Sequence, residues 1–460
     1  MTSTHLCPLS NGGGGCYLIN QKFIGGVFIM KNKVSGFTLV ELLAVIVILA
    51  IILVIAVPKI TDTIKNSKIA SFESSAKTIA AQAEKKLMEN QVLESTNPIN
   101  CNNLVELSNS DYITCSVYFD VNNNALVTLY GSGKFEGLQI INGTKESAKA
   151  EEIKAPVYGN AVNYVNGLYA YNASSNGLER DTTSDNNIRY VGAEPNNNVS
   201  FNDEAWRIIG VFGSNLKLIR NDFIRDLDNN LVNYSFDNST TESRYGTNDW
   251  SKSYIRKFLN DFYFDGKNIT CNSNVVGELA TDEAIKCPNI KKVNSNAKSM
   301  VEYSIWNLGA ITWKNNTQPS TTYSVNELYI KERGKEIYGD HAIVSRDYIG
   351  LVYTSDYGYA STNSECRNNL KSGITYTNNT YDFTSAKCKI DNWMYTQDDT
   401  WWWGITPYRN SNEIAFGIGY GASNSSYASV RHKVRPVLYL KSNIEIISGS
   451  GTSSDPYILK

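Results

Sequence analysis

Gly36-Phe37-Thr38-Leu39-Val40-Glu41 opens a run that stays apolar from Leu42 to Val57. Phe37 to Val57 is 21 residues. At about 1.5 Å per helical residue they reach about 30 Å, one hydrocarbon core. A carboxylate inside such a segment costs about 3 kcal/mol to insert, so Glu41 needs a reason to be there. Lys31 and Lys33 precede the run and no basic residue follows until Lys59. The positive-inside rule then places the N-terminal side in the cytoplasm and the C-terminal bulk outside, in a single pass. Pro58 closes the run, where a helix should kink or lose a hydrogen bond rather than end. Beyond it Ile60, Ile64, Phe72, Ala76, Ile79, Ala83 and Leu87 recur at helical spacing. The pattern predicts one long helix from about residue 38 to 91, its first half apolar enough to lie in a membrane.

The Gly36–Phe37 junction, with Glu41 four residues on, resembles the processing site of type IV prepilins and pseudopilins. The resemblance implies cleavage after Gly36 by a prepilin peptidase and methylation of the new Phe37 amine. It also implies that this amine meets Glu41 of a neighbouring pilin subunit during assembly on the inner platform of the pilus machinery. Met30-Lys31-Asn32-Lys33-Val34-Ser35-Gly36 is by itself a short basic leader (30–36). Translation is therefore expected to start at Met30, leaving 1–29 as an upstream extension and 37–57 as the membrane or filament-core segment.

Around this segment the chain is polar but weakly charged. Of 460 residues only 19% are charged, the formal net charge is −2, and there are 29 tyrosines. Neither nucleic acid nor an anionic membrane is favoured as a partner. An uncharged, Asn/Ser/Thr/Tyr-rich surface suits an exposed domain contacting a glycan or protein. Six cysteines follow the membrane segment in local pairs: Cys101 with Cys115, Cys271 with Cys287, Cys366 with Cys388. In an exported chain such pairs read as disulfides; the alternative is six buried thiols. No Cys-x-x-Cys occurs and the three histidines stand apart, so no metal site and no cofactor is expected.

Residues 58–143 are expected to hold the second half of the helix and a minimal antiparallel head. Its strands are Thr114–Phe119, Ala125–Tyr130 and Phe135–Ile141, separated by Asn122-Asn123-Asn124 and Gly131-Ser132-Gly133. The pattern is similar to small pilins of Gram-positive bacteria. The charged stretch 144–156 reads as a linker.

From 157 to 460 short strands rich in Tyr, Ile and Val alternate with Asn/Ser/Gly loops, an α+β, loop-rich pattern. Arg189-Tyr190-Val191-Gly192-Ala193, Trp206-Arg207-Ile208-Ile209-Gly210-Val211-Phe212, Asp249-Trp250-Ser251 and Arg435-Pro436-Val437-Leu438-Tyr439-Leu440-Lys441 carry a second likeness. They resemble a C-terminal domain of many Firmicutes surface proteins. That resemblance implies a C-type-lectin-like or formylglycine-generating-enzyme-like fold.

Trp401-Trp402-Trp403 alternates across a strand; two of the three are expected to pack the core, while an outward Trp near Tyr395, Tyr408 and Arg409 could stack on a sugar ring or a peptide, so Trp402, Tyr408, Arg409 and Trp250 are the candidate ligand contacts. Glu194-Pro195-Asn196 matches half of a lectin calcium motif, and Asp226, Asp228, Asn229 and Asn230 resemble a calcium loop, although acidic loops are usually just solvated. No nucleophile elbow, phosphate loop or histidine dyad is visible, so no enzyme activity is expected. The leading expectation is a minor pilin at the tip or sparsely along a cell-surface filament, displaying an adhesin domain. Competence pseudopilin for DNA uptake and secretion-system pseudopilin are the alternatives. For DNA the basic clusters are Lys252, Arg256 and Lys257, and Arg431, Lys433 and Arg435.

Overall fold

A computed structural model describes residues 38–93, 99–104, 110–238, 245–269, 271, 287–312, 323–370, 375–377, 380–382, 386–397 and 400–460. The 1–29 extension, the 30–36 leader, Gly36 and Phe37 lie outside them. The chain divides into two compact units, Met1–Ile64 and Lys65–Lys460.

In the first unit the described residues belong to helix α1, Leu39–Val92, which continues into the second. Every large apolar side chain from Leu39 to Val57 is exposed. A helix that is apolar on all sides and uncovered is suited to lipid or to other helices rather than to water. Pro58 sits inside the helix without ending it. Its missing N–H removes one ladder bond, and the hydroxyl of Thr61 donates to the Val57 carbonyl at 2.9 Å close by.

In the second unit α1 presents Phe72, Ala76, Ile79, Ala80 and Ala83 to a core shared with Val117, Val127, Leu129, Phe135 and Ile140. Ile60 and Ile64 are exposed, so the covered stripe begins only at Phe72. The head is a four-stranded antiparallel sheet in the order β1 (Tyr112–Phe119), β2 (Ala125–Gly131), β3 (Leu138–Gly143), β4 (Glu151–Glu152). The short helix α2, Cys101–Leu104, leads into it, and the Cys101–Cys115 disulfide ties that approach to β1.

The stretch 144–156 does not behave as a free linker. It contributes β4, Lys145 pairs with the buried Glu84 of α1 at 2.6 Å, and the Ala150 N–H donates to Glu73 at 3.0 Å. Its charges find partners on the helix it was expected to leave. Head and C-terminal region also touch: the Ser116 hydroxyl donates to Asn163 at 2.6 Å, and Arg180 to the Tyr112 carbonyl at 3.4 Å.

The C-terminal region is α+β and mostly strand. It begins with β5 (Gly159–Asn160) and helix α3 (Ala161–Asn172), whose cap Asn160 accepts from the Asn163 N–H. A ten-stranded sheet then takes in β6 (Leu178–Arg180), β7 (Ile188–Tyr190), β8 (Asn198–Phe201), β9 (Glu204–Phe212) and β10 (Asn215–Arg220). The strand Tyr457–Leu459 runs parallel to β8, and Glu445–Ser448 joins it to β5. A five-stranded sheet holds Trp402–Pro407 beside Ile414–Gly419. Both sheets contribute to one large core. Ser253 caps a short helix at Tyr254–Lys257 that continues as a π-helical turn, Phe258–Phe264, with Ile255, Phe258, Leu259 and Phe262 all buried. Cys271–Cys287 and Cys366–Cys388 are disulfides, so all three local pairs are formed.

Candidate functional site

Two places carry chemistry, one in each unit. In the first, Thr38 and Glu41 form a reciprocal cap. The Glu41 carboxylate accepts from the Thr38 N–H at 2.8 Å and its hydroxyl at 2.9 Å, while the Glu41 N–H donates to Thr38 Oγ1 at 3.3 Å. A Thr-x-x-Glu sequence at a helix start satisfies two orphan backbone donors in this way. Both bonds to the carboxylate are charge-assisted, because the acceptor is ionised.

In the second unit a set of charges lies inside the core. Arg189 on β7 donates through Nε to Asp181 at 2.7 Å and through Nη1 to Asp356 at 2.8 Å. Lys217 on β10 pairs with the other Asp356 oxygen. None of these side chains is more than 2% exposed. Burial alone would raise the Asp356 carboxyl, but Lys217, Arg189 and Arg333 together hold it well below the usual carboxylate range. Burial pushes the Lys217 ammonium down to about 8 against the pull of Asp356, so it stays protonated at neutral pH. The rings of Tyr353, Phe212, Tyr439 and Trp306 surround it at 4.4 to 5.6 Å. Glu332 is buried beside this set; burial raises its carboxyl, against Arg333 and hydrogen bonds from Ser355 and Thr406. Trp306 packs where a glycine is required, since a Cβ on Gly350 would lie 2.5 Å from its ring.

Arg333, Tyr329, Phe212 and Tyr439 separate this cluster from an open cavity of about 490 Å³. Asp185, Glu302 and Arg346 add charge to its wall, and Tyr303 adds an exposed ring. Arg333 lies 3.4 Å from the centre of the Tyr329 ring, with its nearest carboxylate, Glu332, at 3.9 Å.

The aromatic residues expected to face a ligand do not. Trp250 is 1% exposed and donates Nε1–H to Asp347 at 2.9 Å. Trp402 is also 1% exposed, with the Arg435 guanidinium over its ring. Trp402–Pro407 is covered on both faces, so alternation sends Trp402 and Trp403 into two parts of the same core. Tyr408 is half-buried, and the exposed Arg409 pairs with Glu336 at 3.4 Å. The cavity gathers none of these four. Asp226 closes its own loop by accepting from the Asn230 backbone and side chain, and Asn248 donates to three carbonyls. Among the described residues, no group of three or more His, Cys, Asp or Glu is placed to hold a metal ion.

The buried charges and the cavity were not anticipated from sequence. The available signal was Lys217 itself, a lone cation between Leu216 and Leu218 in a strand.

The apolar helix with its capped acid is matched by one family profile, the prokaryotic N-terminal methylation motif, over residues 31–57. The chain therefore carries a type IV pilin-like N-terminus joined to a larger, mostly β region. No curated protein and no solved structure matches the chain.

Proposed function

We propose that this protein is a minor type IV pilin or pseudopilin, cut after Gly36 by a prepilin peptidase and assembled through its N-terminal helix. The observation that carries this reading is the methylation motif at 31–57, with Glu41 as the acid of the exposed apolar helix. Before cleavage the subunit sits in the cytoplasmic membrane with its C-terminus outside; afterwards it joins a surface filament. Three disulfides in the second unit favour that oxidising side. Other pilins and the assembly platform are its partners, and the producing cell is Gram-positive by the small-pilin pattern of the head.

The C-terminal region serves as a non-enzymatic adhesin or ligand-binding domain with a C-type-lectin-like architecture. Pairing of its entry strand β5 with Glu445–Ser448, near its other end, supports a self-closed module of that kind. Its bulk favours a tip or sparse position. The test is mass spectrometry of the native protein from cells with and without the peptidase. A methylated Phe37 N-terminus that disappears with the peptidase is expected; a chain intact across Gly36–Phe37 in both would overturn the reading.

A further inference from the structure

The wall of the large cavity defines what can enter it. Its volume of about 490 Å³ lies in the range of small-molecule sites, about 300–1,000 Å³. The lining holds two guanidinium groups, Arg333 and Arg346, and two carboxyl groups, Asp185 and Glu302. With formal charges balanced, neither an anion nor a cation is drawn in by a net field. An apolar ligand would have to strip water from all four without replacing their hydrogen bonds, at high cost.

What suits both signs at once is a ligand whose every polar group donates and accepts. Hydroxyl groups do so, donating a hydrogen bond to a carboxylate and accepting one from a guanidinium. Arg333 is prepared for that role. Its guanidinium is held flat on Tyr329, makes one weak hydrogen bond, to the Tyr329 carbonyl at 3.5 Å, and keeps its carboxylate contact long at 3.9 Å. Among the described residues, its other N–H groups meet no acceptor.

Tyr303 supplies the apolar half. Its ring is 47% exposed, and it is braced from behind by Tyr348, centroids 4.9 Å apart, which stacks on Phe264 at 4.5 Å. A braced ring beside paired charges offers a platform for the C–H face of a sugar.

We propose that this cavity binds one or two rings of a neutral saccharide, with Tyr303 as the stacking platform and Arg333 as the hydroxyl donor. This rests on the adhesin reading for its biological use, but binding itself does not depend on filament assembly. An uncleaved, unassembled chain would still bind sugar, so the two readings fail separately.

The test is saturation-transfer NMR on the detergent-solubilised full chain. The probes are glucose, galactose, mannose and N-acetylglucosamine, with glucuronic acid as the anionic control. At least one neutral sugar should bind with a Kd at or below about 10 mM. Tyr303→Ala should weaken it about tenfold while costing the fold only the contact with Tyr348. Arg333→Lys, which keeps the charge and loses the fork, should weaken it by a similar factor. Absence of neutral-sugar binding, binding of glucuronic acid alone, or binding that neither variant alters would each overturn the proposal.

Discussion

Asp356→Asn keeps the shape of the side chain and removes its charge, so its effect measures the buried electrostatics with little change in packing. In the wild type Asp356 receives Arg189 Nη1 at 2.8 Å, Lys217 through the other oxygen, and the Tyr353 N–H at 3.4 Å. Arg189 retains Asp181 after the change, but among the described residues Lys217 has no second carboxylate partner and is left enclosed by four rings. Removing one partner of a buried pair costs about 3–5 kcal/mol.

Lys217→Met should cost less, under about 3 kcal/mol, because Asp356 keeps Arg189 and the rings accept a thioether. The double variant should lose less than the two single losses added together, by about 0.5–3 kcal/mol. The single change also predicts a pH signature. Without Asp356 the folded Lys217 falls below its present value of about 8, further from the unfolded one. Between those two values the unfolded chain holds the extra proton, so stability of Asp356→Asn should rise as pH rises from 7 towards 10. Urea unfolding of the detergent-solubilised chain, followed by tryptophan fluorescence, reads all four proteins. An Asp356→Asn midpoint matching wild type at every pH would refute the claim that these charges are ionised and coupled.

Glu41→Val should leave cleavage at Gly36 intact and abolish incorporation into filaments, read by immunoblot of sheared material; normal incorporation would contradict the assembly role. Thr38→Ala removes one side of the helix cap, and the same immunoblot should show reduced but present incorporation, since caps contribute only about 1 kcal/mol. His432 is held neutral down to about 4 by burial, so the unfolded chain takes up a proton first as pH falls from 6.5, and stability declines over that window. Asp237, raised to about 6 by burial, acts in the opposite sense between 6 and 3.8. His432→Gln should therefore make the loss of stability between pH 6.5 and 5 smaller than in the wild type, measured by thermal unfolding at each pH. Reducing Cys366–Cys388, which closes a separation of 22 residues, should cost about 3 kcal/mol in the same assay.

The first unit was legible because lipid imposes a contiguous pattern: a helix in hydrocarbon must be apolar all round, and a single acid stands out. Head strands and disulfides were legible because their partners are near in sequence, as with Cys101 and Cys115. The C-terminal site was not. Asp356 is 167 residues from Arg189 and 139 from Lys217, and no local pattern announces such partners. Strands covered on both faces, such as Trp402–Pro407, lose the alternation that would say which side is wet. Lys217 was visible as an anomaly, yet a lone cation in a strand is compatible with an edge or a pore as well as a core. The stretch 144–156 looked like a tether because its charges were read without the helix they pair with.

The strand Tyr457–Leu459 is inserted between β8 and Glu445–Ser448 rather than added at a rim. The main sheet cannot close around that gap until these late residues arrive. Without them β8 and Glu445–Ser448 lose the strand that joins them. Losing Tyr457–Leu459 should therefore be felt inside the sheet and not only at its rim.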